Sequence, residues 1–85
     1  MSTIPVDAPQ IDTPFGLEHV FTYHPPFGDQ PQRYSAIRRA ALDFAMRVLV
    51  DCPRSAERTL ALRDIQRAVM FANASIALNE AQEDK

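Results

Sequence analysis

The chain has 85 residues with a formal charge of −2, one cysteine and seven prolines. At that size a folded chain buries only about 60% of its unfolded surface, so it needs a partner subunit or a staple. One thiol excludes an intrachain disulfide and, with two histidines, excludes a structural zinc site. It also fits a reducing, cytoplasmic compartment. The apolar runs are too short for a membrane span, and no secretory signal opens the chain.

In chain order, the first feature is a proline-rich stretch. Six prolines (Pro5, Pro9, Pro14, Pro25, Pro26, Pro31) and both glycines, Gly16 and Gly28, fall in the first 31 residues. Proline lacks a backbone donor and pushes its predecessor toward extended conformations, so residues 1–28 are expected to form an extended arm, with 1–14 mobile. Residues 15–27 hold Phe15, Phe21, Tyr23 and Phe27, enough aromatic surface to expect docking.

Residues 29–80 predict an αα-hairpin. Asp29 reads as an N-cap, with Pro31 in the first turn and Gln32 completing a weak capping box. Tyr34, Ile37, Ala41, Phe44 and Val48 then step 3-4-3-4, which gives a helix over about residues 30–51. Asp51-Cys52-Pro53 ends it. Arg58, Leu62, Ile65, Val69, Ala72 and Ile76 repeat the spacing, giving a second helix over about 55–79. The short connection makes the pair antiparallel. Residues 81–85 form an acidic tail. The second helix has another apolar stripe, Leu60, Phe71 and Leu78, with Met70 and Ala74 beside it. A helix apolar on two faces needs two neighbours, so a homo-oligomer is expected. The fold class is therefore all-α: an antiparallel helical hairpin behind a Pro-rich extended arm, assembled from several copies.

Charge is unevenly placed. All eight arginines lie between Arg33 and Arg67, so residues 30–73 carry +4, while residues 1–29 sum to −4 and 74–85 to −2. Arginine suits bidentate anion recognition, whereas a solvated face laced with i,i+4 pairs would use the same residues. Arg38, Arg58 and Asn73 fall within apolar stripes. Each either packs its stem and bonds within the chain or across subunits, or lines a pocket at a subunit seam. Tyr23-His24-Pro25-Pro26 supplies rings able to stack on a planar heterocycle, or else a rigid lead-in packed on the helix. No phosphate loop or catalytic carboxylate pair is visible, Cys52 lacks an obvious base, and His19 and His24 lack further ligands. Neither an enzyme nor a metal or other cofactor is expected. The arginines are spread around the helices, which argues against DNA as partner.

His24-Pro25-Pro26, Arg33-Tyr34, Ile37-Arg38, Cys52-Pro53 and Met70-x-Ala72-Asn73-Ala74 together resemble a known family. Over about residues 21–80 the chain is similar to the small phage-encoded proteins built on the helical hairpin shared by anti-CBASS and anti-Thoeris sponge proteins. The resemblance implies a homo-oligomer, commonly a hexamer assembled from dimers. It implies binding of cyclic nucleotide or cyclic ADP-ribose type signals, withheld from host effectors without cleavage in the infected cell's cytoplasm. It places Tyr23 and Arg38 in one pocket, with His24 and Pro25 beside the tyrosine. Arg58, Arg63, Arg67 and Asn73 fall at a second type of site on the later helix. The chain differs from the tyrosine-pocket relatives in having His-Pro-Pro after Tyr23 and Arg at position 38 instead of Lys. The competing expectation is a helical oligomerising adaptor with no small-molecule ligand.

Overall fold

A computed structural model describes residues 3–5 and 12–82. The described elements are strand β1 (Thr3–Pro5), helices α1 (Pro14–Phe21), α2 (Gln30–Asp51) and α3 (Ala56–Asn79), and strand β2 (Glu80–Gln82). They fall into two compact units. One joins the residues up to Pro31 to those from Ala74 onward; the other is Gln32–Asn73.

The two long helices lie where the 3-4 spacing predicts them. The connection, Cys52–Ser55, is held by side chains as much as by its length. Ser55 Oγ accepts from the Arg58 backbone N–H at 3.1 Å, capping α3, and donates to the Pro53 carbonyl at 3.1 Å. Removing a serine cap leaves one N-terminal amide without its acceptor. Ser55→Ala is expected to cost about 1 kcal/mol in a thermal or urea melt.

The first unit corrects the expectation of an extended arm. Pro14–Phe21 is helical because Thr13 is an N-cap: its Oγ1 accepts from Gly16 N at 3.0 Å, and Pro14 occupies the first turn, where a missing N–H costs nothing. A proline there begins a helix instead of preventing one. Gly16 is the buried residue of α1, on the side where a Cβ would be crowded. Further along, Gly28 takes a left-handed φ of 59°, which a residue with a Cβ resists, and so turns the chain into α2. β1 and β2 pair antiparallel, with Ile4 opposite Ala81. The remaining residues of the expected mobile segment 1–14 and of the acidic tail 81–85 lie outside the described residues.

His19 ties α1 to the end of α3, its Nε2 donating to the Leu78 carbonyl at 2.8 Å. His24 folds back on it, bonding the His19 carbonyl at 2.7 Å, with the two rings edge-to-face at 4.8 Å. The two histidines thus pack within the unit, whereas Phe15, Phe21 and Tyr23, expected to dock, are exposed. Gln30 is the most buried side chain of the unit, at 1% exposure. Its Oε1 accepts from Phe27 N at 3.2 Å and its amide donates to Glu80 Oε1 at 3.1 Å, joining the turn before α2 to β2.

The second unit has very little core of its own. Among the described residues, Val48 at 8% exposure is the buried hydrophobic side chain, while Leu42, Phe44, Met46, Leu60, Met70 and Phe71 are exposed. Phe44, expected on the packed stripe, is among these. It lines a groove along the helix–helix seam opposite Ala61, Ile65, Ala68 and Val69 of α3.

Candidate functional site

Among the described residues, arginines and polar side chains meet around two shallow concavities of the second unit. The first lies along α2 and is lined by Ser35, Arg38, Arg39, Leu42 and Asp43. Its base is fixed by one helical turn: Arg38 Nη2 donates to Ser35 Oγ at 3.3 Å. The Arg38 side chain is exposed and this contact is weak, so most of the guanidinium fork faces solvent. The intrachain carboxylate partner considered for Arg38 is replaced by this hydroxyl. Arg38 also borders a neighbouring concavity lined by Leu62, Gln66 and Met70.

The second concavity, about 470 Å³, lies on the outer face of α3 and is lined by Arg63, Gln66, Arg67, Met70 and Phe71. Arg63 and Arg67 stand one turn apart on the same face, and Phe71 follows one turn later with its ring 68% exposed. Two guanidinium forks beside an aromatic ring and a thioether form a surface for an anion joined to a flat heterocycle. Gln66 and Phe71 were not singled out as site residues by the sequence pattern. Their 3- and 4-residue spacing from Arg63 and Arg67 would have grouped them.

The other expected site residues divide into two kinds. Tyr23 is 80% exposed and Pro25 is exposed, leaving both free to meet a ligand. His24 is half-buried and engaged with the His19 carbonyl, so in this chain it packs α1 and does not present an open edge. Arg58 has a structural place as well. Its Nη1 reaches the Cys52 carbonyl at 3.3 Å and the Leu49 carbonyl at 3.5 Å, satisfying the open C-terminal carbonyls of α2. Its expected partner, a carboxylate, gives way to backbone because the stripe position sets it over a helix end. Asn73 is half-buried, and its Oδ1 is sealed from solvent without a hydrogen-bond partner in the described structure.

The remaining charges behave as a solvated face. Arg47 Nε pairs with Asp51 one turn on at 2.6 Å, with both side chains largely exposed, a contact of small energetic weight. Cys52 is exposed and unpaired at the hairpin connection. No helix is long and apolar enough to cross a membrane among the described residues.

A helical hairpin is also what comparison with known families finds. The Acb2/Tad1 hairpin domain matches residues 16–77, which spans most of α1, all of α2 and nearly all of α3. The chain belongs to this family. The Acb2/Tad1 hairpin family is that of the phage anti-CBASS and anti-Thoeris sponge proteins, which are binding proteins, so the sequence resemblance holds. No curated protein and no solved structure matches the chain. β1, the Thr13 cap and β2 lie outside the matched residues.

Proposed function

We propose that this member of the Acb2/Tad1 hairpin family binds a cyclic nucleotide or cyclic ADP-ribose type defence signal and sequesters it without cleaving it. It would act in the cytoplasm of an infected host cell, as a homo-oligomer, with a hexamer as the expected state. The observation that carries the proposal is the concavity of Arg63, Gln66, Arg67 and Phe71 on a hairpin of this family. Two guanidinium groups match the phosphates of such a signal by charge-assisted, bidentate bonds. The exposed ring offers a face for a base, a contact worth about 1–3 kcal/mol per base.

Arg38 is proposed as a further phosphate clamp on α2 and, separately, Tyr23 of the first unit as a stacking ring. Both are exposed in the single chain. Pro25, two residues after Tyr23, stiffens the backbone near the ring. Asn73, half-buried on α3, is proposed as a further contact of the later helix. Arg58 and His24 are proposed to act indirectly, by holding the hairpin turn and α1. Sequestration requires slow release, and burial of the ligand at a seam between copies supplies it.

A thermal-shift panel of cyclic dinucleotides, cyclic trinucleotides and cyclic ADP-ribose isomers tests this. At least one compound should raise the melting temperature, and mass spectrometry of the denatured complex should return it intact. A flat panel would overturn the sponge reading and favour an adaptor. Recovery of a cleaved product would replace sequestration with an enzyme.

A further inference from the structure

Arg38 and the pair Arg63 and Arg67 belong to different helices, but the concavities that hold them are not separate. The α2 concavity and its neighbour share Arg38 and Leu42, and that neighbour shares Gln66 and Met70 with the α3 concavity. Each shared pair is one helical turn apart, so each is a single edge lined from both sides. The three spaces, about 290, 380 and 470 Å³, therefore form one trough that crosses from α2 to α3 within the second unit.

Positive charge stands on both sides of this trough. Its middle is floored by the half-buried side chains of Ala41, Ala45, Leu62, Ile65 and Val69. Arg38 lies on the α2 side, and Arg63 and Arg67 on the α3 side. Among the described residues none of these three arginines has a carboxylate partner. No Asp or Glu lines the middle or the α3 stretch; Asp43 lines the outer α2 end alone. Cations around an apolar floor, with no carboxylate between them, favour an anion that reaches both sides. Packed helix axes lie about 8–10 Å apart, which sets the scale of the gap. A ring whose two phosphates are separated by nucleosides can place one phosphate on each side. A pyrophosphate carries its charges on neighbouring phosphorus atoms, and a cyclic mononucleotide has one phosphate, so either engages one side only.

Gln66 stands where the two stretches meet. It is the neutral polar side chain of both, exposed and without a hydrogen-bond partner among the described residues. Its amide carries a donor and an acceptor, so it meets a base edge without repelling either phosphate. Met70, one turn on, sets a polarisable sulfur beside a flat ring. We infer that the arginines of α2 and α3 serve one continuous site, with Gln66 at its middle, that takes a single cyclic nucleotide whose two phosphates are held apart. The inference rests on the sponge reading above and narrows its ligand.

Calorimetry of the full chain with cyclic di-AMP, cyclic di-GMP, cyclic AMP and cyclic ADP-ribose tests it, with circular dichroism reporting that each variant stays helical. One of the dinucleotides should bind about a hundredfold more tightly than cyclic AMP or cyclic ADP-ribose, the gain from a second charge-assisted clamp. Arg38→Ala and Arg63→Ala/Arg67→Ala should each lower its affinity by about tenfold or more, with the number of ligands bound per chain unchanged. Gln66→Glu sets a carboxylate between the two phosphates and should also lower it by about tenfold or more. Two independent sites would behave differently: each arginine variant would lose one class of bound ligand and leave the other at full affinity. That result would overturn the single site. So would unchanged affinity in Arg38→Ala or Gln66→Glu, or a chain that takes cyclic AMP or cyclic ADP-ribose as tightly as either dinucleotide. Failure of every compound in the wider panel would instead remove the sponge reading, and this inference with it. All four substituted positions are exposed, so the variants are expected to keep the fold.

Discussion

Arg63→Glu/Arg67→Glu should abolish ligand capture: the melting shift produced by a saturating cyclic nucleotide falls to zero, and affinity drops by about a hundredfold or more. The two guanidinium groups are one turn apart beside the exposed Phe71 ring and face the same concavity. A charge-assisted hydrogen bond contributes about 1.5–3 kcal/mol, and a carboxylate in its place adds repulsion toward a phosphate. Titration calorimetry of the double variant measures the loss. Arg63→Lys/Arg67→Lys separates charge from geometry, because lysine keeps the positive charge and loses the planar fork. Its affinity should fall between the two. Arg54→Glu, at the hairpin connection and outside either concavity, serves as the control with unchanged affinity. If Arg38→Glu removes binding while Arg63→Glu/Arg67→Glu leaves it intact, the ligand belongs to the α2 concavity and the assignment to α3 fails.

The long helices are legible in sequence because their evidence is local and repeated. Tyr34, Ile37, Ala41 and Val48 in one, and Leu62, Ile65, Val69 and Ile76 in the other, mark a stripe at every turn. Helix α1 is not read that way, since Pro14 and Gly16 in an eight-residue helix look like breakers. The overlooked signal is Thr13-Pro14, a capping residue followed by the proline that suits a first helical turn. β1 and β2 are beyond local reading altogether. Each has three residues, and their pairing joins positions some eighty residues apart.

The site divides along the same line. Arginine on the hairpin and the exposed Tyr23 follow from residue type and family likeness. The place of Arg58 does not, because a stripe position at the start of a helix looks alike whether the side chain faces a ligand or caps the helix before it. Only the turn geometry at Cys52–Ser55 puts the Cys52 and Leu49 carbonyls within its reach. Likewise His24 looks available in sequence, and loses its free edge because α1 forms and offers the His19 carbonyl. The expectation of an oligomer rests on the two apolar stripes of α3.

Gln30 carries the largest expected effect on stability. Its side chain is almost wholly buried, and it satisfies the Phe27 amide and one Glu80 oxygen at once. Gln30→Leu keeps the volume and leaves both of those groups without this partner, at a cost of about 2–3 kcal/mol. A urea melt followed by helical signal should move to lower denaturant by that amount. Gln30→Glu is more informative, because it sets a second carboxylate at hydrogen-bond distance from Glu80. Two carboxylates in such contact cannot both ionise cheaply, so the folded state raises the affinity of the pair for one proton. The folded chain then binds more protons than the unfolded chain, and stability must fall as pH rises through the raised value. The variant should therefore be destabilised at neutral pH and regain stability as pH is lowered toward the carboxylate range, while Gln30→Leu shows no such recovery. Melting temperatures of the two variants across pH, each relative to wild type at the same pH, distinguish a charged clash from a simple loss of packing. If Gln30→Leu instead melts as the wild type does, the Gln30–Glu80 bond contributes nothing that a leucine could not replace, and closure of the first unit depends on β1–β2 pairing and the His19–Leu78 bond instead.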